Sequence, residues 1–357
     1  MVVEQSIRVI EKPKELFNLL KEHSLSEGKI FLLADSSTSE HCLPLIQNEL
    51  PGGGRKCILL NVPDGESSKS IETATQLYSR LMEYQADRSS VLINVGGGMV
   101  CDLGGFIAST FKRGMNWINL PTTVLAQVDA AIGGKTGINH LGFKNMIGTF
   151  NFPIETVIYP AFLNTLPKRE VLAGFAEMIK HAIIGSPEQW NDMVKAQYLD
   201  LPFIQKNIAR SMEIKRQIVR HDFKEKGDRK KLNFGHTIGH ALESFMLESP
   251  ERNLLHGEAV ALGIMAESFI SHQKGYITES LMTEINSFIA QHYKGINLHQ
   301  SQYHRLVEIM RHDKKGKGNQ LNMTLIKGIG DAVINRNPPM EMIIDSLTYL
   351  ERYPFNN

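Results

Sequence analysis

Through roughly residue 155 the sequence switches repeatedly between short β-rich apolar runs (KIFLLAD, KCILLNV, SSVLINVGGG, WINLPTT, TVIYP) and amphipathic stretches such as SIETATQLYSRLMEYQ. That alternation predicts an α/β fold. From about residue 166 the apolar residues recur at helical spacing in KREVLAGFAEMIKHAII, LPFIQKNIARSMEIKRQIV and GEAVALGIMAESFISHQ, which predicts a mainly helical second half. Strand character returns at LNMTLIKGIG, read as a late hairpin on that half. A chain of 357 residues exceeds what one core usually fills. Two domains are therefore expected, residues 1–160 and 161–357.

Charge narrows the classes of partner. With 39 basic against 38 acidic side chains there is no excess field to grip a polyanion, so no nucleic-acid partner is expected. The N-terminal MVVEQSIRVIEKPKELF lacks the apolar core of a secretory signal, and glycine or polar residues interrupt every long apolar run. Neither export nor a membrane span is expected. Cys42, Cys57 and Cys101 are odd in number and without CxxC spacing, which suits ordinary thiols in a cytoplasmic protein.

Three segments carry groups able to do chemistry. Gly96, Gly97 and Gly98 follow the apolar run VLINV and precede Asp102 and the pair Gly104–Gly105. Glycines between a strand and a helix let backbone N–H groups approach a phosphate, but they also make a plain tight turn, and both readings stand on local sequence. The segment from Arg113 to Gly148 holds Thr122, Thr123, Asp129, Lys135, Lys144 and Asn145. These suit a phosphate and hydroxyls if the loops converge, and solvated loop positions if they do not. The third set is Glu177 in GFAEMIKH, His236 and His240 in NFGHTIGHALE, and His256 in LHGEAVA. Imidazole and carboxylate without thiolate fit a catalytic zinc or cobalt site. His236 and His240 stand four apart, on one helix face, and could bind an ion together; ordinary core histidines are the plain alternative. Lys180, Lys215 and Arg229 lie close to this set in sequence, and Glu177 with Lys180 has the spacing of an ion pair.

Taken in order, GGGMVCDLGGF, LPTTVLAQVDAAIGGKTGIN, KNMIG, GFAEMIK, LNFGHTIGHALE, HGEAVALG and DKKG resemble the 3-dehydroquinate synthase family, from about Asp35 to Lys315. The resemblance implies an N-terminal Rossmann-like α/β domain that binds NAD and a C-terminal mainly α-helical metal-binding domain. It implies NAD contacts from Asp35, Glu66, Lys69, Gly97, Gly98, Asp102, Thr122, Thr123, Asp129 and Lys144, with Thr165 and Glu170 nearby. The implied ligands of one divalent metal, zinc or cobalt, are Glu177, His236 and His256, whereas His240 is implied to contact substrate or assist proton transfer. Lys135, Asn145 and Lys314, with Arg113 from a second copy in a homodimer, match phosphate-binding positions. Lys180, Lys215, Arg229 and Asn233 match positions that hold the substrate carboxylate and hydroxyls.

The implied activity converts the sugar phosphate 3-deoxy-D-arabino-heptulosonate 7-phosphate to 3-dehydroquinate and phosphate, with NAD reduced and reoxidised within the cycle. Phe143 stands where many members carry a glycine before Lys144 and Asn145, which bears on the loop path alone. Sister cyclases, such as 2-deoxy-scyllo-inosose synthase and the valiolone-forming synthases, depart at the substrate positions that this chain keeps. A polyol dehydrogenase of the glycerol dehydrogenase type would release reduced cofactor instead, and a non-catalytic sugar-phosphate-binding protein would form no product.

Overall fold

The computed structural model describes residues 4–141, 143–196, 200–248, 254–313 and 321–355. The chain divides into two compact units, Met1–Pro167 and Lys168–Asn357, so the break follows Pro167 where residue 160 was expected.

In the first unit, strands β1 (Ile7–Val9), β2 (Ile30–Asp35), β3 (Cys57–Val62), β4 (Val91–Gly96), β5 (Asn116–Pro121) and β8 (Glu155–Ile158) form one sheet in the order β1-β8-β5-β4-β2-β3. Every pairing in it is parallel. Helices α1 (Lys14–Glu22), α2 (Ser36–His41), α3 (Leu43–Ile46), α4 (Ile71–Glu83) and α5 (Gly98–Thr110) supply the crossovers. Both faces of the sheet are covered, and this explains why the strands read as unbroken apolar runs. On one face Leu32, Ala34, Ile93 and Val95 pack with Leu16, Leu19 and Leu20 of α1. On the other, Phe31, Leu33, Leu92 and Trp117 pack with Leu77 and Leu81 of α4 and Leu103 of α5.

The segment between β5 and β8 departs from the loop expected there. Lys135–His140 (β6) and Phe143–Phe150 (β7) pair as an antiparallel hairpin. A Cβ on Gly148 would lie 2.1 Å from the Thr136 carbonyl oxygen, so glycine is what permits this pairing. That same glycine, together with exposed positions along β7, removes the alternation by which a strand is recognised.

The second unit comprises α6 (Lys168–Gly185), α7 (Pro187–Lys195), α8 (Leu201–His221), α9 (His236–Leu247), α10 (His256–Gln273), α11 (Glu279–Ala290), α12 (Tyr303–Asp313) and α13 (Met340–Arg352). The late hairpin is present as β9 (Met323–Gly328) paired with β10 (Asp331–Arg336). Helix α10 is buried nearly all round, with α6, α9, α11 and α13 packed against it. Its contacts with α6 and α9 are backbone-close: a Cβ on Gly257 would meet the Ala173 carbonyl oxygen at 1.7 Å, and one on Gly263 the Gly235 carbonyl oxygen at 1.9 Å. Each unit holds one of the two tryptophans, Trp117 and Trp190, both in its core. Among the described residues no helix is long and apolar enough to cross a membrane.

Candidate active-site residues

In the first unit, connections leave β2 in one direction towards β3 and return on its other side to β4, which makes the carboxyl ends of β2 and β4 the switch point of the sheet. Asp35 ends β2, and its Oδ1 accepts from Thr38 N at 2.8 Å and from Thr38 Oγ1 at 2.9 Å, which caps α2. Beyond β4, Gly97 stands at the N-cap of α5 with no side-chain acceptor for the first-turn N–H groups. Bare donors at a helix N-terminus and a switch point are the features that suit a dinucleotide phosphate. Thr122 and Thr123 adjoin them at the end of β5: Thr122 N donates to the Gly96 carbonyl at 3.0 Å, and a Cβ on Gly97 would lie 3.2 Å from Thr123 Cγ2.

Lys69 organises a second group. Its side chain is buried, with Nζ 2.6 Å from Asp102 Oδ2, 3.8 Å from Glu66 Oε1 and hydrogen-bonded to Asn145 Oδ1. Burial opposes the charge on Lys69, but Asp102 and Glu66 outweigh it and raise its pKa. Asn139 closes the group: its Nδ2 donates to Glu66 Oε1 at 2.9 Å, its Oδ1 accepts from Asn145 N at 2.9 Å, and its own N–H donates to the Lys69 carbonyl at 2.8 Å. Thus Glu66, Lys69, Asp102 and Asn145 come together, through a residue the sequence reading missed. Asn145 itself is left-handed at φ 55°, a conformation asparagine tolerates.

Asp129 lies half-buried in the π-helical turn Ala126–Ala130, and Thr165 ends the 3-10 turn Pro160–Thr165. Arg113, Lys135 and Lys144 are exposed, Arg113 at φ 67° in the turn after α5. Glu170, in the first turn of α6, belongs to the second unit, and burial raises its pKa. Lys314 lies outside the described residues.

In the second unit the third set of residues comes together from three helices. Glu177, on α6, is fully buried, and its Oε1 lies 3.4 Å from Nε2 of His236, at the start of α9, and 3.4 Å from Nε2 of His256, at the start of α10. His240, one turn along α9, has its ring 5.1 Å from that of His236 and 5.6 Å from that of His256. The ligand atoms of the three imidazoles all lie within 4.8 Å of one another. Lys180 pairs with the other carboxylate oxygen of Glu177, one helical turn on.

The outward nitrogens of the two imidazoles nearest Glu177 are held. His236 Nδ1 donates to the Phe234 carbonyl at 3.1 Å, and His256 Nδ1 to Glu243 Oε2 at 3.2 Å. Such bonds orient both rings with Nε2 turned towards Glu177. Glu243, three residues after His240 on the same helix, is a member of the site that sequence reasoning did not single out. The fully buried Glu177 carboxylate has Lys180 on one oxygen and both imidazole Nε2 atoms 3.4 Å from the other, so negative charge is concentrated where the donor atoms converge. Two imidazole nitrogens and a carboxylate oxygen on one point are a ligand set for zinc or cobalt, so the residues fit a metal.

The protonation pattern yields a test. Burial and the Lys180 charge push His236 down to about 4. Burial also acts against the charge on His256, but the carboxylates of Glu177 and Glu243 overcome it and raise His256 to about 10. Glu177 stays ionised despite burial, because Lys180 and His236 hold it well below the usual carboxylate range. A metal held by these residues at neutral pH would therefore displace a proton from His256. Metal affinity should rise about tenfold per pH unit across neutrality, and calorimetry in buffers of different ionisation enthalpy should report one proton released per ion. No proton release would contradict this assignment.

Three cations, Lys180 among them, are buried on elements of this unit. Lys180 on α6, Lys215 on α8 and Arg229 in the 3-10 turn Asp228–Asn233 are 1%, 6% and 2% exposed, on elements that pack against one another. Arg229 Nη1 donates to the Phe223 carbonyl at 2.6 Å, and Asn233 Nδ2 to Glu225 Oε1 at 3.0 Å.

Comparison with known proteins places the chain. The model described as 3-dehydroquinate synthase N-terminal matches residues 59–173, and that described as 3-dehydroquinate synthase C-terminal matches residues 174–316. The chain belongs to the 3-dehydroquinate synthase family. A family member from Parabacteroides distasonis is 40% identical over 328 residues, covering 91% of this chain and 92% of that relative. Among solved structures, a 2-epi-5-epi-valiolone synthase from Streptomyces hygroscopicus, with NAD+ and Zn2+ bound, aligns with a TM-score of 0.82 at 24% identity, covering 98% of this chain and 97% of that one. A 2-deoxy-scyllo-inosose synthase complexed with carbaglucose-6-phosphate, NAD+ and Co2+ aligns with a TM-score of 0.82 at 21% identity, covering 98% and 96%. The 3-dehydroquinate synthase family and these cyclases thus share one fold.

Proposed function

We propose that the protein is a 3-dehydroquinate synthase, converting 3-deoxy-D-arabino-heptulosonate 7-phosphate to 3-dehydroquinate and inorganic phosphate, with NAD and one divalent metal as cofactors. The observation that carries this reading is the pairing of family membership over both units with the Glu177–His236–His256 cluster and its buried cations. Glu177, His236 and His256 would hold zinc or cobalt. The first turn of α5, with Asp35, Glu66, Lys69, Asp102, Thr122, Thr123, Asp129, Lys144, Thr165 and Glu170, would hold NAD. When bound, NAD supplies reversible hydride acceptance and the metal supplies positive charge beside the reacting hydroxyl oxygens.

The remaining work falls to the chain itself. Lys180, Lys215 and Arg229 would neutralise the substrate carboxylate in a dry pocket, and Asn233 would orient a ring hydroxyl. Lys135, Asn145 and Lys314, with Arg113 of a second copy, would hold the phosphate until it leaves. His240 would accept or return a proton at a substrate hydroxyl. After phosphate leaves and the sugar ring opens, enclosure of the open-chain intermediate in one orientation favours a single aldol ring closure. A homodimer is part of the proposal, since Arg113 is exposed and would serve a neighbour's phosphate. Three free cysteines suit a cytoplasmic setting, and balanced charge argues against nucleic acid as a partner.

The test is an incubation of metal-loaded protein with NAD and 3-deoxy-D-arabino-heptulosonate 7-phosphate, following phosphate and 3-dehydroquinate with and without chelator. Equal amounts of both products, lost on chelation and without accumulated NADH, are expected. Accumulated NADH would favour a dehydrogenase, and no product from folded, NAD-binding protein would favour a sister cyclase.

A further inference from the structure

Helix α9 carries His236 as its first residue yet has no cap of its own: its N-cap is Gly235, left-handed at φ 80°, with no side chain to accept from the first turn. The acceptor comes from a different helix. Glu267, three turns into α10, is 0% exposed, and its Oε2 accepts from Gly235 N at 2.7 Å. Its Oε1 accepts from Thr237 N at 3.0 Å and from Ile238 N at 3.2 Å. One carboxylate thereby collects backbone donors on both sides of His236.

A buried carboxylate is costly unless several donors meet it, and a helix N-terminus supplies both donors and a favourable field. Glycine makes the approach possible, because a Cβ on Gly235 would sit 2.5 Å from Ile264 Cγ1 of α10. Helix α10 also begins with His256. We infer that Glu267 is a positioning residue for the metal centre, fixing the first turn of α9 so that His236 Nε2 meets Glu177 and His256 in register before any ion arrives. The inference rests on the proposed metal site, and Glu267 itself touches neither metal nor substrate.

The experiment measures zinc affinity by chelator competition, and the visible spectrum of the cobalt form, for the unaltered protein, Glu267→Gln and Ser271→Ala. Glutamine keeps the shape but turns an amide NH2 towards N–H donors. Ser271 lies one turn further along α10, donates to the Glu267 carbonyl at 2.7 Å and accepts from Ile326 N at 3.2 Å, so its loss probes packing without reaching α9. Glu267→Gln should weaken zinc binding about ten- to a hundredfold, as loss of a partner that orients a ligand does, and alter the cobalt spectrum. Ser271→Ala should lower thermal stability and leave zinc affinity unchanged.

Zinc affinity equal to the unaltered protein's in folded Glu267→Gln would overturn the inference. Failure of the unaltered protein to bind zinc at all would instead overturn the metal site on which it rests. Should Glu267→Gln not fold, hydrogen exchange on the unaltered, metal-free protein decides: the Gly235, Thr237 and Ile238 amides should already be protected. Exchange as fast as at an uncapped helix start would refute preorganisation by Glu267.

Discussion

Replacing Glu177 with glutamine should remove bound metal and turnover together. The substitution keeps shape but deletes the one negative charge that faces Nε2 of both His236 and His256. Losing a direct ligand should weaken metal binding by more than the roughly ten- to hundredfold typical of losing an outer partner. It also takes the carboxylate partner from Lys180, which is 1% exposed, so the metal-free variant should lose about 3–5 kcal/mol of stability. Metal content after dialysis and urea unfolding of the metal-free protein check the two parts separately. Undiminished metal content would show that Glu177 is not a ligand.

A second large effect is expected where helices α9 and α10 touch backbone to backbone. Gly263→Ala places a methyl 1.9 Å from the Gly235 carbonyl oxygen and 2.7 Å from Gly239 N, and neither backbone atom can swing aside as a side chain would. Helices α9 and α10 must separate, at a cost of about 3 kcal/mol. For a unit of this size that corresponds to a melting temperature lower by roughly 6–12 °C. Because His236 and His256 sit on the two helices being forced apart, metal affinity should fall as well. Gly328→Ala is the control, since a Cβ there meets nothing within 4 Å. If Gly263→Ala melted like Gly328→Ala, glycine would not be setting the spacing of His236 and His256.

The elements most legible in the sequence were those whose surroundings impose a single pattern. Sheet strands buried on both faces, such as IFLLAD and VLINVG, appear as continuous apolar runs, and α6, α8 and α10 show their helical period directly. The β6–β7 hairpin was illegible because its pairing depends on absent side chains at Gly137 and Gly148 and because β7 covers no core of its own. At the candidate site, motif order pointed to Glu177, His236 and His256, while helical spacing joined His236 to His240, and the fold gathers all four. The supporting carboxylates could not be read. Glu243 and Glu267 look like ordinary polar positions on helices, and their roles arise from what lies across from them: an imidazole for one, a helix start for the other.

The placement of one buried tryptophan in each unit, Trp117 in the sheet of the first and Trp190 among the helices of the second, makes the chain its own pair of optical reporters. Trp190 Nε1 donates to Glu284 Oε1 at 2.7 Å, whereas Trp117 Nε1 is buried with no acceptor among the described residues, so the two indoles differ in polarity as well as position. Single-tryptophan variants would then resolve, from emission alone, whether the halves melt in one step or two and which of them a given ligand holds together.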